Sequence, residues 1–203
     1  TDTFGTVYFT HLACTGASAL PELALDEVES PIPTEDVLSD YRNPLRLLRH
    51  QVDAVVADFP FVPPERPVLV SITIGANDFE FARETKPLAQ LLVHLYGEDE
   101  ATFDAWAKKR ARDVGDKVAK QLDRLLVFPN VVVVVTEVHN PFNESSVFFT
   151  GKNSCLGWPC YDRTDRAVRW LNDELAGAVE RAKGNGQPNA KRRAAVAAIH
   201  AAF

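Results

Sequence analysis

The chain has 203 residues, 46% of them apolar and 25% charged, with a net charge of −6 at pH 7. This is ordinary globular composition, which excludes disorder, collagen and coiled coil as the main state. The acidic balance argues against a nucleic-acid partner, whose phosphates need a basic face. No apolar run approaches the roughly 20 residues of a membrane-spanning helix, the longest being residues 194–199.

In chain order, residues 7–12 read as a strand, closed by the small-residue turn Thr15-Gly16-Ala17-Ser18. Residues 21–41 are acidic and contain proline, a surface connection. Asn43-Pro44 predicts an N-cap with proline at the first helical position. Leu45, Leu48, Val52, Val55 and Val56 then come at helical spacing to about Asp58. Residues 59–67 hold four prolines and form a loop. Residues 68–74 are β-branched and almost continuously apolar, the pattern of a strand buried on both faces. That strand ends at Gly75-Ala76-Asn77-Asp78.

Residues 101–126 form a long amphipathic helix with Phe103, Trp106, Val114, Val118, Leu122 and Leu125 inward. Residues 131–136 are a second apolar strand. Residues 139–159 make a loop too long for a bare connector. Residues 162–182 form a helix with Val168, Leu171, Leu175 and Val179 inward, and residues 194–199 are the last strand candidate. Strands separated by helices of this length pair in parallel through right-handed crossovers. The expected fold is a three-layer α/β/α sandwich with a parallel, flavodoxin-like sheet, and residues 1–203 form a single domain.

Cys155 and Cys160 lie five positions apart in a Gly- and Pro-containing loop, where either a short disulfide or two buried thiols fits. The spacing is wrong for a zinc knuckle. A disulfide places the chain in an oxidising compartment and leaves Cys14, the third cysteine, either buried or separated from its partner. There is no Met, as in a processed product or a piece of a longer chain. No Gly-rich strand-to-helix loop with a following Lys is present, so phosphate binding is not expected.

Ligands of open parallel sheets bind beyond the carboxyl ends of the strands. Two such ends carry small or amide residues, Cys14-Thr15-Gly16-Ala17-Ser18 and Gly75-Ala76-Asn77-Asp78. A backbone N–H at Gly16 and the carboxamide of Asn77 are neutral donors of the kind a developing oxyanion requires. On spacing alone, the favoured reading makes Gly16 and Gly75 turn residues and Asn77 a helix cap.

Leu12-Ala13-Cys14-Thr15-Gly16-Ala17-Ser18, followed by Ile74-Gly75-Ala76-Asn77-Asp78-Phe79, resembles the second and third blocks of the SGNH (GDSL-type) esterase and lipase family, particularly its secreted actinobacterial members. Residues 134–142 are similar to the family's fourth strand and the loop leaving it. The resemblance implies a secreted carboxylic-ester hydrolase without metal or organic cofactor, acting on small-molecule, lipid or glycan esters. It makes the Gly16 N–H and the Asn77 amide two of three oxyanion-hole donors, the third being the N–H of the nucleophilic serine. It gives Asp78 the task of ordering the turn.

The family's Gly-Asp-Ser nucleophile block does not occur here. The nearest match, Gly115-Asp116-Lys117, falls inside a predicted helix. The Asp-x-x-His block is also missing: the residues three positions before His11, His50, His94, His139 and His200 are Tyr8, Leu47, Leu91, Thr136 and Ala197. His139 stands at the correct edge of the sheet but reads as loop surface or pocket wall, and His50 as a solvated helix residue.

The expectation is that the chain is the internal portion of an SGNH hydrolase, without the N-terminal nucleophile strand and the C-terminal Asp-x-x-His segment. The lack of Met and the orphan Cys14 agree, since in related secreted enzymes the equivalent cysteine pairs with one just after the serine block. In the family's sheet the serine strand lies between the strands at 7–12 and 68–74. Without it they stand about 10 Å apart, two strand spacings. A complementing polypeptide is then expected to fill that slot, or the strands re-pair. By itself the chain, lacking nucleophile and base, is expected to be inactive. The competing readings are a hydrolase-derived binding or accessory protein for acyl or glycan ligands, and a flavodoxin-like interaction module.

Overall fold

The computed structural model describes residues 19, 47–76, 78, 99–140, 160–182 and 193–198. Within them the chain runs α1 (Leu48–Asp58), a 3₁₀ turn (Phe59–Phe61), β1 (Val68–Thr73), α2 (Glu100–Leu125), β2 (Val131–Thr136), α3 (Cys160–Arg181) and β3 (Ala194–Ala197). The strands form one parallel sheet in the order β1-β2-β3. The fold is therefore α/β, with a helix between each pair of consecutive strands. The strand expected at 7–12 lies outside the described residues, as do the loop segments 20–46 and 141–159.

The register is set at the entry to the sheet. The Val68 N–H donates to the Asn130 carbonyl (2.9 Å), and the Asn130 side-chain amide donates to the Arg66 carbonyl (2.8 Å). These two bonds bring the starts of β1 and β2 level, so Val68 lies opposite Val131 and Thr73 opposite Thr136. Arg193 fixes β3 in the same way. Its guanidinium donates to the carbonyls of Leu126 (2.7 Å) and Val131 (2.9 Å), joining the C-terminal end of α2 to the start of β2. A cation suits the carbonyls left over at a helix C-terminus.

Val131, Val133 and Val135 are fully buried and share one core with Phe103, Val114, Val118, Leu122 and Leu125 of α2 and Leu171 and Leu175 of α3. Gly115 lets the two helices approach: a Cβ there would stand 2.9 Å from the Glu174 carbonyl oxygen. Gly115-Asp116-Lys117 is thus a helix-packing segment of α2.

Two expectations need correction. Helix α1 starts at Leu48, with an extended Leu47 as its N-cap and no side-chain cap, not at Asn43-Pro44. Leu47 and Leu48 are both buried, so core packing sets the start. Strand β1 is not buried on both faces. Ile72 is buried and Val68 and Val70 half-buried, whereas Leu69 is 70% exposed and Ser71 and Thr73 are exposed beside it. Across the register Val132 lies on the same open face. A run of β-branched residues satisfies a one-sided strand as well as a two-sided one, so the letters alone do not separate the two.

Candidate functional site

The carboxyl ends of β1 and β2 lie side by side, and the segment leaving each strand is held by a specific contact. After β1 the chain turns at Gly75, whose φ of +112° is a conformation that residues with a Cβ rarely adopt. A Cβ at this position would also lie 3.0 Å from Leu171 Cδ2 and 3.1 Å from Leu171 Cδ1. Glycine is required here twice, by the backbone and by the neighbouring helix. The turn then closes with the Asp78 N–H donating to the Gly75 carbonyl (3.1 Å).

Asp78 is fully buried, and its Oδ2 accepts the backbone N–H of Ala19 at 3.0 Å. A buried carboxylate needs such donors to offset its lost hydration. The bond joins the segment after β1 to the end of the Thr15-Gly16-Ala17-Ser18 block, because Ala19 directly follows Ser18. Asp78 therefore does more than close its own turn: it holds Ala19, the residue that follows Ser18 in the sequence. Gly16 and Asn77 themselves lie outside the described residues, though Asn77 is bracketed by Ala76 and Asp78.

After β2 the chain is clamped by Asn172 of α3. Its side-chain oxygen accepts the Val138 N–H (2.8 Å) and its amide donates to the Val138 carbonyl (2.9 Å). Both groups are buried, so the two bonds hold the segment leading to His139 and Asn140 at the sheet's edge. Asn140 Nδ2 approaches the hydroxyl of buried Thr164 at 3.5 Å, at the outer limit of a hydrogen bond. His139 is exposed at the carboxyl end of β2. His50 lies in the first turn of α1, half-buried, and accepts from Arg49 Nε at 3.1 Å.

Ser71 is on the open face in the middle of β1, away from the strand's end. Ser18, Ser145, Ser146 and Ser154 lie outside the described residues, as do Cys14 and Cys155; Cys160 opens α3. Among the described residues no group of three or more His, Cys, Asp or Glu side chains is placed to hold a metal ion, and no helix is long and apolar enough to cross a membrane.

Sequence reading missed Asn172 and Thr164. The available signal was a polar residue on an apolar helix face: Asn172 follows Val168 by four positions and precedes Leu175 by three, and Thr164 precedes Val168 by four. Compared with protein-family models, curated proteins and solved structures, the chain finds no match.

Proposed function

We propose that this chain supplies the oxyanion-binding part of a serine carboxylic-ester hydrolase of SGNH type. In this reading it is secreted, folded as a three-layer α/β/α sandwich with a flavodoxin-like sheet, and has Cys155 and Cys160 joined as a disulfide. The Ala19–Asp78 bond is the observation that carries it. It ties Ala19, three positions after Gly16 in the sequence, to Asp78, the neighbour of Asn77, beyond the carboxyl end of β1, and ligands of open parallel sheets bind beyond such ends.

A serine Oγ attacks the ester carbonyl carbon, and the carbonyl oxygen becomes negative. The Gly16 N–H and the Asn77 amide donate to that oxygen. Collapse of the adduct expels the alcohol, and water then cleaves the acyl-serine. The chemistry requires no metal or organic cofactor. The serine and the Asp-x-x-His base come from polypeptide outside this sequence, whether continuous with it or a companion chain.

The lack of both motifs within these residues also favours a second reading, a catalytically silent relative that keeps the cleft for acyl or glycan ligands. A p-nitrophenyl ester assay separates the two. The reading expects hydrolysis from a polypeptide that includes the serine segment and none from these 203 residues alone. Hydrolysis by the 203 residues alone overturns the assignment of the nucleophile. An inert longer polypeptide that still binds acyl or glycan ligands establishes the second reading.

A further inference from the structure

Between the first turn of α1 and the middle of α2 is a cavity of about 150 Å³. Leu47 and Leu48 form part of its wall, and Arg49, Lys117, Lys120 and Gln121 are its polar lining. Lys117, Lys120 and Gln121 share one face of α2 because they stand three and four residues apart. Ala19, which bonds Asp78, also lines the cavity.

Five described cations elsewhere meet carboxylates: Lys109 with Asp113, Arg124 with Asp53, Arg166 with Glu100 and Asp104, Arg169 with Asp165, and Arg181 with Asp116 and Glu174. Among the described residues Lys117 and Lys120 have no acidic partner, and Arg49 donates to the ring of His50. The Oε1 of Gln121 is occupied by Arg124 at 2.8 Å, which leaves its NH₂ as a donor. A chain of net charge −6 thus gathers three cations and an amide donor around one concavity, with no described carboxylate in its lining.

We infer that this cavity is a binding site for a phosphate or sulfate group. Such a group carries about two negative charges at pH 7 and several acceptor oxygens, which three cations and an amide can match. A single carboxylate would leave most of that charge unmatched. The recognition is by side-chain cations, unlike the backbone cradle of a P-loop. The two sources of the group are a free inorganic ion and the phosphate of a larger ester. The inference does not depend on the ester-hydrolase reading.

The test is titration calorimetry of the full 203-residue chain with inorganic phosphate and with glycerol 3-phosphate, at ionic strength held constant with sodium chloride. The expected result is saturable binding of one phosphate group per chain. It weakens about tenfold or more in Lys117→Gln/Lys120→Gln and is unchanged in Arg66→Gln/Arg112→Gln, which removes the same charge elsewhere. Tighter binding of the ester assigns the site to a larger phosphorylated ligand, and equal binding assigns it to the free ion. Absence of binding to the parent chain overturns the inference, as does equal weakening in both double variants. Thermal melts of each variant without phosphate verify that it is folded.

Discussion

Ala19 and Asp78 stand 59 positions apart in the chain, yet the backbone N–H of one donates to the buried carboxylate of the other at 3.0 Å. Removing the acceptor strands that N–H in the interior. Asp78→Ala is expected to lower unfolding stability by about 1–3 kcal/mol. Asp78→Asn, which keeps an oxygen acceptor, costs less. Urea unfolding followed by circular dichroism measures both; equal stability of Asp78→Ala and the parent would show that the bond carries no weight.

Gly75 answers two demands at once, and they separate experimentally. Gly75→Ala forces a Cβ into a φ of +112° and against Leu171, with an expected cost of about 1–3 kcal/mol. Truncating the neighbour relieves the contact but not the backbone strain. In a double-mutant cycle, Gly75→Ala should therefore cost at least ~0.5 kcal/mol less in a Leu171→Ala background than in the parent. Strict additivity would mean that the backbone conformation accounts for the whole effect.

Asn172 makes two buried bonds to one residue, Val138. Asn172→Leu has similar bulk but leaves both backbone groups unpaired, so a loss of about 2–4 kcal/mol is expected. Hydrogen exchange localises the effect: the Val138 amide should exchange much faster in the variant, while amides in the middle of α2 follow only the global change. Unaltered protection at Val138 would contradict the clamp.

Asp99 caps α2, with Oδ1 accepting the Thr102 N–H at 2.8 Å and Oδ2 the Thr102 hydroxyl at 3.0 Å. The backbone bond from Thr102, followed by its hydroxyl, holds this carboxyl below its ordinary value of 3.8. A carboxyl lowered in the folded state contributes stability that is present above the unfolded value and is lost as pH falls through the folded one. The melting temperature should accordingly decline below about pH 4 less steeply in Asp99→Ala than in the parent. Parallel pH profiles would remove Asp99 from the acid response.

The sequence is most legible where a single physical demand sets the pattern. Residues 131–136 form β2, and the inward positions Val114, Val118, Leu122 and Leu125 of α2 and Val168, Leu171, Leu175 and Val179 of α3 are all buried, since helical spacing and burial coincide there. Trp106 is half-buried against the same core. Legibility falls where tertiary packing overrides a local signal. Helix α1 begins after an extended, buried Leu47 with no side-chain cap, and the apolar letter at Leu69 gives no sign that its face stands open. At the candidate site the glycine at 75 was readable, but its partner Leu171 was not, because that contact joins a turn to a helix almost a hundred residues later. The buried amide of Asn172 was hidden for a different reason: a search for apolar periodicity passes over a polar residue on the apolar face.

The central claim is that the amide of residue 77 steadies a developing oxyanion, and the kcat of Asn77→Ala tests it most directly. In the complete polypeptide carrying the serine, kcat for a p-nitrophenyl ester should fall by about 10²–10³-fold, with the melting temperature nearly unchanged. A kcat equal to that of the parent, in a variant equally folded, would contradict it.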